Sequence, residues 1–326
     1  MTPAIAVVVP TCRRPALLRR CLQALVSQQG LDRAGYEVLI VDDGRTDDIR
    51  ELVEGFARQT ADAPTVRYLR PWGTKKGPAA ARNCGWRSSA APLIAFTDDD
   101  TVPDPEWLLQ GSRTIAQGFV AASGRVVVPT PSPPTDHALN TKGLEAAEFV
   151  TANAFVLRSA LELVGGFDER FTRAWREDSD LHFSLLERFG NVGRAAEAIV
   201  EHPVRPAPWG ISMSQQANVY FDALLFAKHP LLYRAKVRNR PPWRYFFIVA
   251  CMAGALVAAV AGWFPAAAVL TALGLCGCLA FAWKRLQRTS RSPAHVAEML
   301  LTSLAIPFLA VFWRLRGAWR FKVLFP

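Results

Sequence analysis

LIAFTDDD, from Leu93 to Asp100, runs a continuous apolar segment straight into three consecutive aspartates. A short run of this kind, without polar alternation, reads as a strand buried on both faces, the mark of a parallel sheet covered by helices. The acids at its end need a separate reason. Neighbouring carboxylates repel by about 1 kcal/mol in water and about 4 kcal/mol near a protein surface, so a folded site that gathers them commonly holds a cation. Taken alone, the triplet reads first as a solvated acidic turn, and the other acidic groups of the chain are what shift the balance.

The same pattern recurs on either side. Ile5 to Val9 is a β-branched run closed by Pro10, and Glu37 to Val41 is a second buried strand ending at Asp42-Asp43-Gly44. Between them, Leu17, Leu18, Cys21, Leu22, Leu25 and Val26 repeat at three- and four-residue intervals, which predicts an amphipathic helix over Ala16 to Ser27. Arg50 to Arg58 and Pro78 to Ser88 predict further helices, and Val66 to Leu69 another strand. The alternation predicts an α/β domain built on a Rossmann-like, mostly parallel sheet flanked by helices. Ligands of such sheets lie beyond the carboxyl ends of the strands, so Asp42, Asp43 and Asp98 to Asp100 are expected to converge on one crevice.

Glu177-Asp178, with Asp180, forms a third acidic group ahead of a helix. Carboxylates in this number suit a hard divalent ion, Mg2+ or Mn2+, that completes its shell through phosphate oxygens. Opposite the acids stands Gly73-Thr74-Lys75-Lys76-Gly77-Pro78, followed by Ala79-Ala80-Ala81-Arg82-Asn83. Such a loop at a helix start can offer backbone N–H groups and a cation to phosphate, although by itself it reads equally as a hydrophilic connection. Neither Gly-x-x-x-x-Gly-Lys-Ser/Thr nor Gly-x-Gly-x-x-Gly occurs, which speaks against an ATPase P-loop and a dinucleotide fold.

Val8-Val9-Pro10-Thr11, Val41-Asp42-Asp43-Gly44, Gly77 through Ala81-Arg82-Asn83, Phe96-Thr97-Asp98-Asp99-Asp100 and Arg176-Glu177-Asp178 stand in a specific order. That ordered set resembles family-2 inverting glycosyltransferases of the GT-A fold, over about residues 4–205. The resemblance implies a nucleotide-diphosphate sugar donor across the strand ends. Pro10, Thr11, Asp42 and Asp43 would lie at the base and ribose, and Lys76 and Arg82 at the phosphates. Asp98 and Asp100 resemble the family's Asp-x-Asp pair, with Asp98 nearer the ribose, Asp99 beside it and Asp100 on the metal. Asp178 matches the catalytic base. His202 sits where several relatives keep a metal-facing histidine, though a lone histidine before proline reads equally as structural. Asn153 lies in a segment that shapes the acceptor pocket of similar enzymes, and Trp175 and Glu177 are the other acceptor-site candidates.

Composition changes sharply near residue 243. Domains are therefore expected over 1–210 (catalytic), 211–243 (an interfacial amphipathic linker) and 244–326 (membrane). Tyr245 to Phe264 is uncharged and long enough for a bilayer core of about 30 Å, Pro265 interrupts it, and Ala266 to Trp283 supplies a second span. Much of the net charge of +10 sits in Arg234 to Arg244, Lys284 to Arg291 and Arg314 to Lys322, beside the apolar stretches. That placement fits anionic headgroups better than nucleic acid, and by the positive-inside rule it puts both ends of the hairpin in the cytosol. Val296 to Trp313, which contains Pro307 and is basic on both sides, is expected to be re-entrant or interfacial rather than a third span.

The start, MTPAIAVVVPTCRRP, lacks the basic-then-apolar order of a signal peptide, so the first domain is expected on the cytoplasmic face of a cell membrane. The six cysteines show no paired spacing and suit a reducing compartment. A lipid or lipid-linked glycan is the expected acceptor. A processive polysaccharide synthase is disfavoured because Gln-x-x-Arg-Trp is missing: Gln215-Gln216 is followed by Ala217-Asn218-Val219-Tyr220. A membrane-tethered nucleotide-sugar-binding protein and a metal-dependent nucleotidyl or phosphoryl transferase remain as rivals.

Overall fold

The structure is a computed structural model that describes residues 3–60, 63–71, 73 and 76–326. Its elements run β1 (Ile5–Thr11), α1 (Pro15–Val26), β2 (Tyr36–Asp42), α2 (Asp47–Gln59), β3 (Thr65–Leu69), α3 (Pro78–Arg87), β4 (Leu93–Thr97), β5 (Val102–Pro103), α4 (Trp107–Ala116) and β6 (Ala121–Val127). They continue through α5 (Asp136–Lys142), β7 (Asn153–Leu157), α6 (Arg158–Val164), α7 (Glu177–Phe189), β8 (Gly193–Glu201), α8 (Ile211–Ser214), α9 (Val219–Lys228), α10 (Pro230–Lys236), α11 (Trp243–Val260), α12 (Phe264–Leu286) and α13 (Pro293–Phe321). The chain divides into two compact units, one of residues 1–129 and 142–204, the other of residues 130–141 and 205–326.

The first unit is one mixed sheet in the order β3-β2-β1-β4-β7-β6-β8-β5. β1, β2, β3 and β4 are mutually parallel neighbours, β7 runs antiparallel between β4 and β6, and β8 is parallel to β6. The continuous apolar runs have a direct explanation in this arrangement. Val7, Val9, Val38 and Ile40 pack with α1 and α2 on one face, while Ala6, Val8, Leu39 and Val41 pack with α3 on the other. Because both faces are covered, alternation disappears from the strands.

Parallel pairing also brings strand ends together. Thr11 lies beside Asp42, and Thr97 beside Asn153. Two successive antiparallel pairings make β6 and β8 run in the sense of β4, so β8 delivers His202 to the edge where β4 delivers the aspartates.

The second unit is helical. α11 and α12 form an antiparallel hairpin turned at Gly262, which adopts φ 78°. Small residues let the helices approach closely: a Cβ on Gly274 would fall 2.7 Å from the Met252 sulfur, and one on Gly277 2.7 Å from Ile248. Pro265 does not sit in a loop; it lies in the first turn of α12, where its missing N–H costs no hydrogen bond. α11, α12 and α13 are each long and apolar enough to cross a membrane. α13 continues through Pro307 without a break. The proline-rich segment is fixed to this unit: Asp136 pairs with Arg285 at 2.8 Å, and the Ser290 N–H donates to the Pro134 carbonyl.

Candidate active site

The aspartate triplet forms the turn that follows β4, closed by the Thr101 N–H donating to the Asp98 carbonyl at 3.2 Å. Asp99 is fully buried, accepts a 2.6 Å hydrogen bond from the Thr11 hydroxyl and lies 3.1 Å from Arg14. Burial raises its carboxyl to about 6 against the pull of Arg14 and Thr11. Thr11 and Asp99, both expected at the nucleotide, therefore spend their polar atoms on each other beneath the crevice. Arg14, which also reaches Asp100 at 3.7 Å, was not among the expected residues. Its only sequence signal is the basic pair Arg13-Arg14 just after the first strand.

Asp98, Asp100 and His202 each offer a ligand atom, all within 4.8 Å of one another. His202 points Nε2 at Asp100 from 3.7 Å, while its buried Nδ1 has no hydrogen-bond partner. Two carboxylates and an imidazole form a hard oxygen-nitrogen donor set that fits Mg2+ or Mn2+.

Arg82 is the hub. Its buried guanidinium donates to Asp98 at 2.7 Å and to Glu177 at 3.0 Å, linking positions far apart in the chain. Burial opposes the Arg82 charge, yet Asp98 and Glu177 outweigh it and hold the guanidinium protonated. For Asp98, burial is likewise overcome, chiefly by Arg82 and then His202, and its carboxyl lies below the usual range. Glu177 is 3% exposed and is pushed up to about 7 by burial and by Asp178, against Arg82. Glu177, an expected acceptor-site residue, places its carboxylate as a buried counter-ion of Arg82.

Asp178 is the second residue of α7, after Glu177, and the helix is entered through Arg176, which takes the left-handed φ of 75°. Consecutive residues of a helix do not face each other, so the two carboxylates diverge. Asp178 is half-buried. One oxygen accepts from the Ser179 N–H at 2.6 Å; the other makes no hydrogen bond among the described residues. Burial raises its carboxyl above the usual range against the helix N–H and Arg176.

The remaining candidates separate. Asp42 is fully buried and caps a turn, accepting from the N–H groups of Gly44 and Thr46 and from the Tyr68 hydroxyl. Asp43 accepts from the Gly77 N–H at 3.0 Å, and its other, buried oxygen has no partner. That hydrogen bond ties the end of β2 to the glycine loop. Gly77 has φ 100°, and a Cβ there would meet the Thr172 carbonyl at 2.8 Å, so the loop passes this point only as glycine. Lys76 is exposed and lines a cavity of about 790 Å³ with Asn83, Arg87, Phe167 and Thr172, whose walls do not include Arg82. Thr74 and Lys75 of the expected phosphate loop lie outside the described residues. Pro10 is half-buried in β1, beside Val41. Trp175 is half-buried with the Arg176 guanidinium 4.8 Å from its ring.

Asn153, an expected acceptor-site residue, lies in the core. It is fully buried in β7, accepts from the Trp107 indole at 2.9 Å and donates to the carbonyls of Arg125 and Ala198. It joins α4, β6 and β8 inside the core and does not face the crevice. Asn153→Ala should lower stability by about 3 kcal/mol, because it strands one buried donor and two acceptors. Thermal unfolding measures the loss, while nucleotide affinity at a permissive temperature stays unchanged.

Comparison with known proteins follows the same geometry. The model of "Glycosyl transferase family 2" matches residues 6–164. The chain is 29% identical over 218 residues to "Glycosyltransferase AglE" of Haloferax volcanii, spanning 63% of this chain and 68% of that protein. It is 28% identical over 98 residues to the "GalNAc(5)-diNAcBac-PP-undecaprenol beta-1,3-glucosyltransferase" of Campylobacter jejuni, 30% of each chain. Beyond AglE, it spans between 14% and 43% of the length of the curated relatives it matches. A mannosyltransferase of Pyrobaculum calidifontis, solved with GDP-Man and Mn2+, shares the fold at a TM-score of 0.56 and 17% identity, over 98% of this chain and 88% of that one.

Proposed function

We propose, from the match of residues 6–164 to the model of glycosyl transferase family 2, that this chain is an enzyme of that family and moves a sugar from a nucleotide-diphosphate donor to a hydroxyl of a membrane lipid or lipid-linked glycan, with inversion. The observation that carries the reading is the convergence of Asp98, Asp100 and His202 at one strand edge, with Arg82 joining that group to the Glu177-Asp178 turn. AglE and the C. jejuni enzyme are named glycosyltransferases, and the latter's name carries an undecaprenol-linked glycan. The helices of the second unit support a membrane setting, and the basic residues at the hairpin base support a cytoplasmic catalytic domain.

The chain's own residues divide the work. Asp98, Asp100 and His202 would hold a Mg2+ or Mn2+ ion, which when bound offsets charge on the leaving diphosphate. Arg82 fixes Asp98 in place and adds a permanent positive charge under the donor. Asp178, with one oxygen turned to its helix N–H and the other open, takes the proton from the acceptor hydroxyl as it attacks the anomeric carbon. A single in-line displacement inverts the anomeric configuration.

Incubation of the purified protein with radiolabelled nucleotide sugars and membrane lipid extract, with and without EDTA, tests the reading. EDTA-sensitive label in lipid is the expected result. Label retained only as bound nucleotide would replace transfer by binding, and release of nucleotide monophosphate would replace it by phosphoryl chemistry. Asp100→Ala should abolish the Mn2+-dependent part of nucleotide binding, measured by titration calorimetry; an affinity equal to wild type in Mn2+ would remove Asp100 from the ligand set.

A further inference from the structure

α13 is tied to the base of the α11–α12 hairpin in its first half and to α9 and α10 beyond its end. Near its start, Thr302 and Ser303 accept from Arg285, in the last turn of α12. Beyond its end, Phe325 packs against Tyr233 of α10 and Phe226 of α9. The base itself is fixed by Tyr245 and Phe281, whose rings lie 5.3 Å apart, so the start of α11 and the end of α12 share a level.

A helix of 29 residues is about 43 Å long. Only residues 237–242 join α10 to α11, and fully extended they reach about 20 Å. An α13 that crossed the bilayer would carry its far end, and α10 with it, about 30 Å from the hairpin base, further than this linker returns. The chain segment beside α13 makes the same point. Gly210 donates to Glu298, and the Tyr220 ring meets Trp313 edge-on and Phe321 at a tilt, so residues 210–220 run alongside the helix. A spanning α13 would draw Gln215, Gln216, Asn218 and Asp222 into hydrocarbon.

The outer face of α13 supplies what such a helix needs. Leu301, Leu304, Phe308, Phe312, Leu315 and Trp319 recur at three- and four-residue spacing and are exposed, Phe312 by 54% and Trp319 by 82%. The opposite face, with His295, Thr302, Ser303 and Arg314, is buried. Arg316 and Arg320 are exposed beside the apolar stripe, placing cations at its edge. We propose that α13 lies in the plane of the membrane across the hairpin base, its apolar stripe in the outer acyl region and Arg316 and Arg320 on anionic headgroups. This inference rests on the reading of α11 and α12 as a spanning hairpin.

The full chain, with the exposed Cys12 and Cys276 changed to serine, is reconstituted in vesicles of equal parts phosphatidylglycerol and phosphatidylcholine. Spin labels are placed singly through Leu301→Cys, Phe308→Cys and Leu315→Cys, and their depths are read from oxygen and nickel collision rates. One shared, shallow depth is expected at all three. Adding Arg316→Glu and Arg320→Glu should move the Leu315 label toward water while the Leu301 label stays in place. A middle label deeper than its neighbours by about 10 Å, the rise of seven residues, would overturn the proposal in favour of a third span. Labels open to water, or shielded from both reagents as by a second copy, would overturn the membrane as occupant. A label at Leu256→Cys on α11 separates the two levels of the argument. A deep Leu256 with any of these contrary α13 results defeats the in-plane helix alone, whereas a Leu256 open to water defeats the hairpin beneath it.

Discussion

Asp178→Asn is expected to reduce turnover by at least about 10²-fold while nucleotide-sugar binding stays within error of wild type, because the change removes a proton acceptor and keeps shape and hydrogen-bond reach. The amide oxygen can still accept from the Ser179 N–H, so the start of α7 is preserved. The pH profile supplies a second readout. Burial raises both Glu177 and Asp178, and the two carboxyls are adjacent, so the acid limb of the wild-type rate belongs to them as a pair and lies above the ordinary aspartate range. Activity rises as pH climbs through that limb, where the base loses its proton. In the asparagine variant the limb should vanish from the residual rate. Unchanged turnover would remove Asp178 as the base.

Arg82→Met is expected to be the most damaging single change to the folded state. Its guanidinium is the shared partner of Asp98 and Glu177, and Glu177 is itself buried. Methionine fills much of the volume and leaves both carboxylates without their cation, a loss of about 3–5 kcal/mol by analogy with other broken buried pairs. Thermal unfolding in detergent reads the first effect, and Mn2+-dependent nucleotide binding reads the second, since Asp98 is then free to leave its position. Glu177→Leu in the same background tests the mechanism. Removing the stranded acid should recover part of the lost stability without restoring binding, because Asp98 is still unanchored. Equal stability of the two variants would mean that Glu177 draws little from Arg82.

The strands of the first unit were legible because their apolar runs carry no alternation, and β4 ends at Thr97, where its apolar run gives way to the aspartates. The convergence of Asp98, Asp100 and His202 was legible in part, since parallel strands must discharge their ends at one edge. Within that edge the direction of each side chain was not. Asp99 differs from its neighbours by its place in the turn after β4, where its carboxylate meets Thr11 and Arg14. Glu177 and Asp178 are chemically similar and adjacent, and what separates them is a guanidinium 95 positions away from Glu177.

The sequence by itself determined the α/β alternation, the acidic strand ends and three apolar helices of sufficient length, all of which follow from local periodicity and composition. Only the tertiary structure decided that Asn153 serves the core, that Glu177 answers Arg82, and that α13 meets Arg285 of α12 in its first half and α9 and α10 beyond its end. Those facts depend on partners distant along the chain, and a side chain's chemistry is set by the partner it meets, which no local pattern encodes.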